Sequence, residues 1–343
     1  MASITLLILA IILSFRTSGA TSRGGLFEAS AVTEKHEQWM ARFHRVYSEE
    51  SEKTNRFEIF KKNLEFVERH NMNTNITYKL DVNQFSDLTE EEFRARYTGV
   101  VVPEGVTRIS SPDSDKKVSF RHENVSETGE SMDWRQEGAV TSVKNQGQCG
   151  VCWAFSAVAA VEGITKIEKG ELISLSEQQL VDCGRDINYG CKGWIMSEAF
   201  QYIINNQGIT SEDNYPYLAS QQTCSSTDPV AATISSYETV PSNDEEELLK
   251  AVSQQPVSVT IDGAGLEFQQ YKSGIFDGDC GTDPNHAVAI IGYGVSEEGI
   301  NYWLLKNSWG ETWGENGYMR IMRGVDAPEG KCGLARYAYY PLA

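Results

Sequence analysis

The amino-acid sequence predicts an α+β protein: a two-subdomain domain over residues 128–343, with a cleft between the subdomains, behind a helical leading segment. Three observations carry this. Segments with helical periodicity come first in that domain, at 152–168, 176–183, 195–207 and 245–254. Short alternating or apolar strands follow, at 256–261, 286–293, 301–306 and 318–322. Before residue 128 the chain is helical and charged, then loses all periodicity. Segregated helices and strands mark two layers of different character, and a site is expected where they meet.

The chain has 343 residues, enough for two domains and a leading segment. Met1 to Ala20 reads as a signal peptide. Its apolar run, Ile4 to Leu13, is too short to span a bilayer, and Ser18-Gly19-Ala20 supplies small residues for cleavage, although no Lys or Arg precedes the run. Residues 21–32 read as a loose lead-in. From Val32 to Asn71 the composition is helical. Trp39, Phe43 and Tyr47 recur at i, i+4, i+8 as an aromatic packing stripe, and Glu52, Arg56, Phe60, Asn63, Val67 and Asn71 share one helix face. Tyr78, Leu80 and Val82 alternate as a short strand. Leu88 to Tyr97 is a helix with Thr89 as N-cap and Glu92 completing a capping box. Residues 98–127 form an extended linker. Glycosylation sequons occur at Asn75 and Asn124.

Charge is divided unevenly. Residues 1–127 carry 17 basic and 19 acidic side chains, residues 128–343 carry 13 and 29, so the second part holds −16 of the net −18. Such an acidic domain excludes nucleic acid and anionic membrane as partners and suits a low-pH workplace, where protonation of carboxylates relieves self-repulsion. No later segment is long and apolar enough to cross a membrane. The secretory pathway permits disulfides, and seven cysteines, all after residue 128, leave one over.

Chemistry concentrates at Gln146 to Trp153, Gln-Gly-Gln-Cys-Gly-Val-Cys-Trp, in front of the helical stretch Ala154 to Ile167. Cys152 therefore sits at a helix N-terminus, where unpaired N–H groups and the macrodipole favour an anion and lower a thiol pKa. That makes a nucleophile, although Cys152 read alone could equally be a disulfide partner, a buried thiol, or half of a redox Cys-x-x-Cys with Cys149. His286 is the single histidine after residue 128 and opens an apolar strand, so it is the candidate base. Asn307, in Lys306-Asn307-Ser308-Trp309-Gly310, can fix its tautomer without adding charge. Trp309 and Trp313 can shield that bond. Gln146 and the Cys152 N–H are candidate oxyanion donors.

At these residues the chain resembles the papain-like cysteine proteases, most of all the plant senescence-associated type. Gln146 to Phe155 resembles the family's active-site segment, Asn285-His286-Ala287-Val288 and Asn307-Ser308-Trp309-Gly310 its His and Asn segments, and the Glu52 to Asn71 spacing its inhibitory prosegment helix. The resemblance covers nearly the whole chain after the signal peptide. It implies a papain-like fold with a helical left domain and a β-barrel-like right domain. It also implies an inhibitory propeptide over 21–127 (helical at about 36–97) and a mature domain from 128. Disulfides Cys149–Cys191, Cys183–Cys224 and Cys280–Cys332 would leave Cys152 free, which disposes of the redox reading. The implied roles are nucleophile Cys152, general acid/base His286, orienting Asn307 and oxyanion donor Gln146, with Cys152 and His286 resting as a thiolate–imidazolium pair and no metal or organic cofactor. Implied partners are protein and peptide substrates, the chain's own propeptide and cystatin-like inhibitors, for a monomer of the vacuole, lysosome or extracellular space. The rival reading is an inactive scaffold that acts as a binding or decoy protein.

The resemblance makes Gly193, Trp194 and Trp309 substrate-binding, with the Trp194 main chain pairing with substrate backbone. Ile195, Met196, Thr260, Ala287 and Tyr337 would line an apolar pocket for the second residue before the cut. Trp194 departs from the family, which commonly has glycine there. Asp81 stands where the prosegment usually has glycine, and Gly129 where the mature N-terminus usually has proline.

Overall fold

The computed structural model describes residues 20–102, 120–184, 190–225 and 229–343, with side chains from Ser30 onward. The expected signal peptide lies outside them except for Ala20, as do residues 103–119 of the expected linker. The chain divides into two compact units, residues up to Phe66 and Val67–Ala343.

In the first unit, α1 (Ala20–Arg42) and the body of α2 (Glu50–Asn71) pack through aromatic rings. Trp39 and His36 meet Phe60 with centroids 5.1 and 5.0 Å apart, and Lys53 pairs with Glu37 at 2.8 Å. Two expectations are corrected. Residues 21–32 are helical rather than a loose lead-in: no proline interrupts them, and a helix once nucleated propagates even through Gly24-Gly25. The stripe Trp39–Phe43–Tyr47 is not continuous, because the helix ends at Arg42 and His44 takes φ 52°, so Tyr47 lies off it.

The second unit is built on one long sheet, ordered β1-β5-β8-β7-β6-β4-β9-β3, with β2 pairing β6. The strands are β1 Tyr78–Leu80, β2 Met132–Asp133, β3 Ser236–Thr239, β4 Val257–Ile261, β5 Tyr271–Phe276, β6 His286–Val295, β7 Asn301–Lys306, β8 Tyr318–Met322 and β9 Ala338–Leu342. Among the described strands, β5 and β8 alone pair in parallel. β1 extends the sheet antiparallel to β5, so residues before 128 contribute a strand to it. The helix after it, α3 (Glu90–Tyr97), has the predicted capping box: Thr89 accepts from the Glu92 N–H and Glu92 reaches back. Both sequon asparagines, Asn75 and Asn124, are exposed.

α4 (Cys152–Lys169) packs on β6 and is buried from Cys152 through Thr165, on all sides rather than on one face. At one point of this central helix no side chain would fit: a Cβ on Gly163 would lie 2.5 Å from the Pro256 ring. Gly170 closes it in the left-handed conformation, φ 80°. α5 (Glu177–Cys183), capped by Ser176, and α6 (Met196–Asn205) pack beside it, sharing its apolar core. α7 (Glu245–Val252) is capped by Asp244, and α8 (Leu266–Gln269) is a single turn. α4 thus packs against both α5 and α6 and the strands β4, β6 and β9, the α+β character that the segregated periodicities predict. Cys149 is bridged to Cys191, Cys183 to Cys224 and Cys280 to Cys332. Among the described residues no helix is long and apolar enough to cross a membrane, and no group of acidic, His and Cys side chains is placed to hold a metal.

Candidate active site

Cys152 is the one free cysteine, and it is the first residue of α4. Its N-cap, Val151, offers no side-chain acceptor, so the uncapped N–H groups of the helix end are left for the sulfur and its ligands. Cys149 is committed to Cys191, so no free dithiol exists. The backbone N–H of Ala287 lies beside the Cys152 sulfur, which brings β6 and its first residue, His286, to the helix tip. His286 Nε2 faces Asn307 Oδ1 at 2.8 Å. Its other ring nitrogen, Nδ1, makes no hydrogen bond. Trp309 stacks on the imidazole, centroids 4.4 Å apart and 24° between planes, and Trp313 meets Trp309 edge-on at 5.0 Å. All of these side chains are buried.

Gln146 is held from both ends. Its Oε1 accepts from the Ser308 hydroxyl at 2.7 Å, its N–H donates to the Ser308 carbonyl at 2.8 Å, and Asn145 bridges Trp309. The amide nitrogen of Gln146 is thereby aimed away from β7 and toward the Cys152 loop, donating to the Cys149 carbonyl at 3.0 Å.

Residues 97–102 run over this site as a strap. The Tyr97 carbonyl accepts from Gln146 Nε2 and from the Trp309 indole, each at 3.2 Å. Gly99 and Val100 both donate to the Asn285 carbonyl, and Trp194 gives its N–H to Gly99 and takes the Val101 N–H, in a parallel β-bridge of Val100 with Trp194. Val100 and Val102 pack on the core that holds Cys152, and Val101 points outward, the alternation of an added strand.

Covering the site changes its electrostatics. Burial pushes the Cys152 thiol up to about 12, against the pull of nearby backbone N–H groups, Ala287 foremost. Burial likewise pushes His286 down to about 4, with Asn307 opposing. Both shifts favour the neutral thiol and the neutral imidazole while the strap is in place. Neither charge is solvated under the strap, and desolvation outweighs the helix N-terminus.

The expected substrate-pocket residues lie together. Ile195 and Met196, at the start of α6, and Ala287 are buried in one core cluster with Cys152, and Trp194 and Tyr337 pack on its edge. Thr260 is opposite Ala287 in the β4–β6 register, and its N–H bonds the Tyr337 carbonyl. Gly193 takes φ 105°, and a Cβ there would lie 2.4 Å from the Gly99 carbonyl, so only glycine admits the strap. The Trp194 side chain is half-buried, and its main chain is engaged by the strap on both its N–H and its carbonyl. Sequence reasoning missed Tyr97, Ser308 and the charged residues around Glu162. No local pattern marks them, because each gains its place from contacts distant in sequence.

Residues 128–342 match the family described as papain family cysteine protease, and residues 36–93 match the cathepsin propeptide inhibitor domain (I29). The chain is 51% identical to the senescence-specific cysteine protease SAG12 of Arabidopsis thaliana, over 98% of this chain and 97% of that one. It is 47% identical to fruit bromelain of Ananas comosus, over 90% and 86%. Among solved structures, a recombinant stem bromelain precursor is 46% identical, with TM-score 0.83, covering 91% of this chain and 99% of that one. The proform of the ragweed pollen cysteine protease Amb a 11 is 40% identical, with TM-score 0.81, covering 91% and 95%. A free buried sulfur at a helix tip, a histidine–asparagine pair beside it and a strap before residue 128 are thus features of a chain that belongs to the papain family of cysteine proteases and carries that family's propeptide inhibitor domain.

Proposed function

We propose that the chain is made as a zymogen and matures to an endopeptidase of the secretory pathway, working in a vacuole, lysosome or the extracellular space. The observation that carries this is the single unbridged sulfur, Cys152, at the N-terminus of α4, beside the Nε2-anchored imidazole of His286. Loss of the strap rehydrates both groups, so that the helix N-terminus and the imidazole then favour a thiolate–imidazolium pair. The thiolate sulfur attacks the peptide carbonyl carbon. The Cys152 N–H and Gln146 Nε2 receive the oxyanion, in the place the Tyr97 carbonyl occupies on Gln146 in the zymogen. As the C–N bond breaks, the imidazolium proton passes to the leaving amine, and a thioester remains. Water, giving a proton to His286, attacks the thioester, and the thiolate departs from the carboxylic acid product. Asn307 holds the ring in one orientation throughout, and Trp309 keeps water from that bond.

The propeptide inhibits because its strap runs parallel to the Trp194 backbone, so it fills the site in a direction opposed to cleavage. Maturation falls near residues 128–130, where Gly129 and Glu130 are exposed. Ile195, Met196, Ala287 and Tyr337 select an aliphatic or aromatic residue second from the cut. The test is incubation of the full chain at pH 4–5, then labelling with a thiol-directed epoxide and mass spectrometry. Label at Cys152 in a product beginning near residue 128 is expected, and absent labelling refutes the reading. A substrate library preferring Arg or Asp in the second position would refute the pocket assignment.

A further inference from the structure

A buried group of charges lies behind the site, unused by the proposed reaction. Lys144, Glu162, Glu177 and Lys306 come from the loop that leads to Gln146, from α4, from α5 and from the end of β7 next to Asn307. Glu162 and Glu177 are each 1% exposed. Lys144 Nζ donates to Glu162 Oε1 at 3.1 Å, to Glu177 Oε1 at 2.8 Å and to the Leu175 carbonyl at 2.8 Å. Glu162 Oε1 also accepts the Leu175 N–H at 3.0 Å. Its Oε2 accepts the Thr141 hydroxyl at 2.6 Å, which in turn accepts from Lys306 Nζ at 2.7 Å; Lys306 Nζ itself stands 3.9 Å from Oε2. A small cavity lined by these four charged residues, Asn307 and Ser308 joins the group to the catalytic amide.

Buried ion pairs are poor stabilisers when compared with apolar packing, since each ion must be desolvated. Their hydrogen bonds are directional, however, and apolar surfaces slide. Three segments converge on Glu162, and each carries a reacting group: α4 carries Cys152, the loop after Thr141 carries Gln146, and Lys306 directly precedes Asn307. Burial raises the Glu162 carboxyl, but Lys144 and then Lys306 overcome it and hold the group ionised. Glu177, beyond Lys144, and half-buried Glu212 are the other charges facing the cluster.

We propose that Glu162 is a positioning residue for peptide cleavage, its carboxylate locking the Cys152 helix, the Gln146 loop and the Asn307 strand into one frame through Thr141, Lys144 and Lys306. This rests on the roles proposed above for Cys152, Gln146 and Asn307. A displacement of about 1 Å between reacting groups costs on the order of 100-fold in rate.

The test compares matured wild type with Glu162→Gln, Thr141→Val and the double variant Glu162→Gln/Lys306→Met, by kcat, KM, Tm and epoxide labelling. Glu162→Gln is expected to lose roughly 10–100-fold in kcat with KM unchanged. The double variant removes the stranded ammonium, so it should regain Tm while kcat stays low. Thr141→Val, which cuts the relay at little change in volume, should lose kcat in the same sense even if Glu162→Gln does not fold. Recovery of kcat together with Tm in the double variant, or wild-type kcat in Thr141→Val, overturns the proposal. Failure of wild type to label at Cys152 overturns the reaction reading instead, and the positioning role with it.

Discussion

Replacing Gly99 by alanine should open the zymogen without touching the catalytic groups. A Cβ at Gly99 would lie 2.0 Å from the Gly150 carbonyl oxygen and 2.4 Å from its carbon. Those are backbone atoms between Cys149, bridged to Cys191, and the first turn of α4, so they cannot retreat. The strap must lift. It is held there by four backbone hydrogen bonds: Gly99 and Val100 to Asn285 (3.0 and 3.1 Å), Trp194 to Gly99 (3.0 Å) and Val101 to Trp194 (3.2 Å). At about 1 kcal/mol each, loss of half removes about 2 kcal/mol, or roughly 30-fold in the open population. The assay is alkylation of unprocessed proenzyme at pH 7 with excess thiol reagent, followed by mass mapping of Cys152. The variant should label about 30-fold faster than wild type. An unchanged rate in a variant with wild-type melting would refute the strap as the barrier.

Three further outcomes follow from the same geometry. Gln146→Ala in the matured enzyme should cost on the order of 100–1,000-fold in kcat, with KM little changed, because it removes the proposed oxyanion donor; intact kcat would remove Gln146 from the mechanism. Cys152 in wild-type proenzyme should alkylate appreciably only at alkaline pH, because burial pushes its thiol up to about 12, whereas the matured enzyme should react at mildly acidic pH; coincident profiles would contradict the covering effect. His122 stands 5.0 Å from the Tyr340 ring and 5.7 Å from Phe120, with Nε2 buried and unpaired. Burial lowers its pKa, Glu238 opposing and Arg121 adding to the shift. A histidine with a depressed pKa stabilises docking above its free value, near 6.5, and loses that contribution as pH falls further. His122→Phe should therefore slow maturation at pH 4–5, as read from the time course of conversion on a gel; conversion at the wild-type rate would exclude His122 from the acid response.

Elements with strong local signals were legible. Thr89 and Glu92 announce the start of α3, and Ser176 and Asp244 cap the helices after them. β6 and β7 read as apolar or alternating runs. β5, β9 and β3 did not: β5 contains Lys272, Ser273 and Gly274, β9 is buried throughout and contains Pro341, and β3 has only four residues, so alternation fails in each. The helix of 20–32 was missed because its two glycines suggest a loop, although neither stops a helix already propagating. Tyr97 was read as the end of a helix, and nothing near it in sequence announces that its carbonyl meets Gln146.

The sequence by itself determined that a cysteine stands at the head of a helix, that seven cysteines leave one over, that a lone histidine opens a later strand and that an asparagine follows another. These are local or countable properties, set by capping, periodicity and composition. Only the tertiary structure decided that the imidazole meets the asparagine at 2.8 Å under an indole, that a strap hides the sulfur, and that four charges from four segments, three of them buried, meet behind it. It also decided how far the sulfur is desolvated in the zymogen. Position on a helix favours the thiolate, but desolvation is a sum over every segment that covers the atom, and no local stretch of sequence contains that sum.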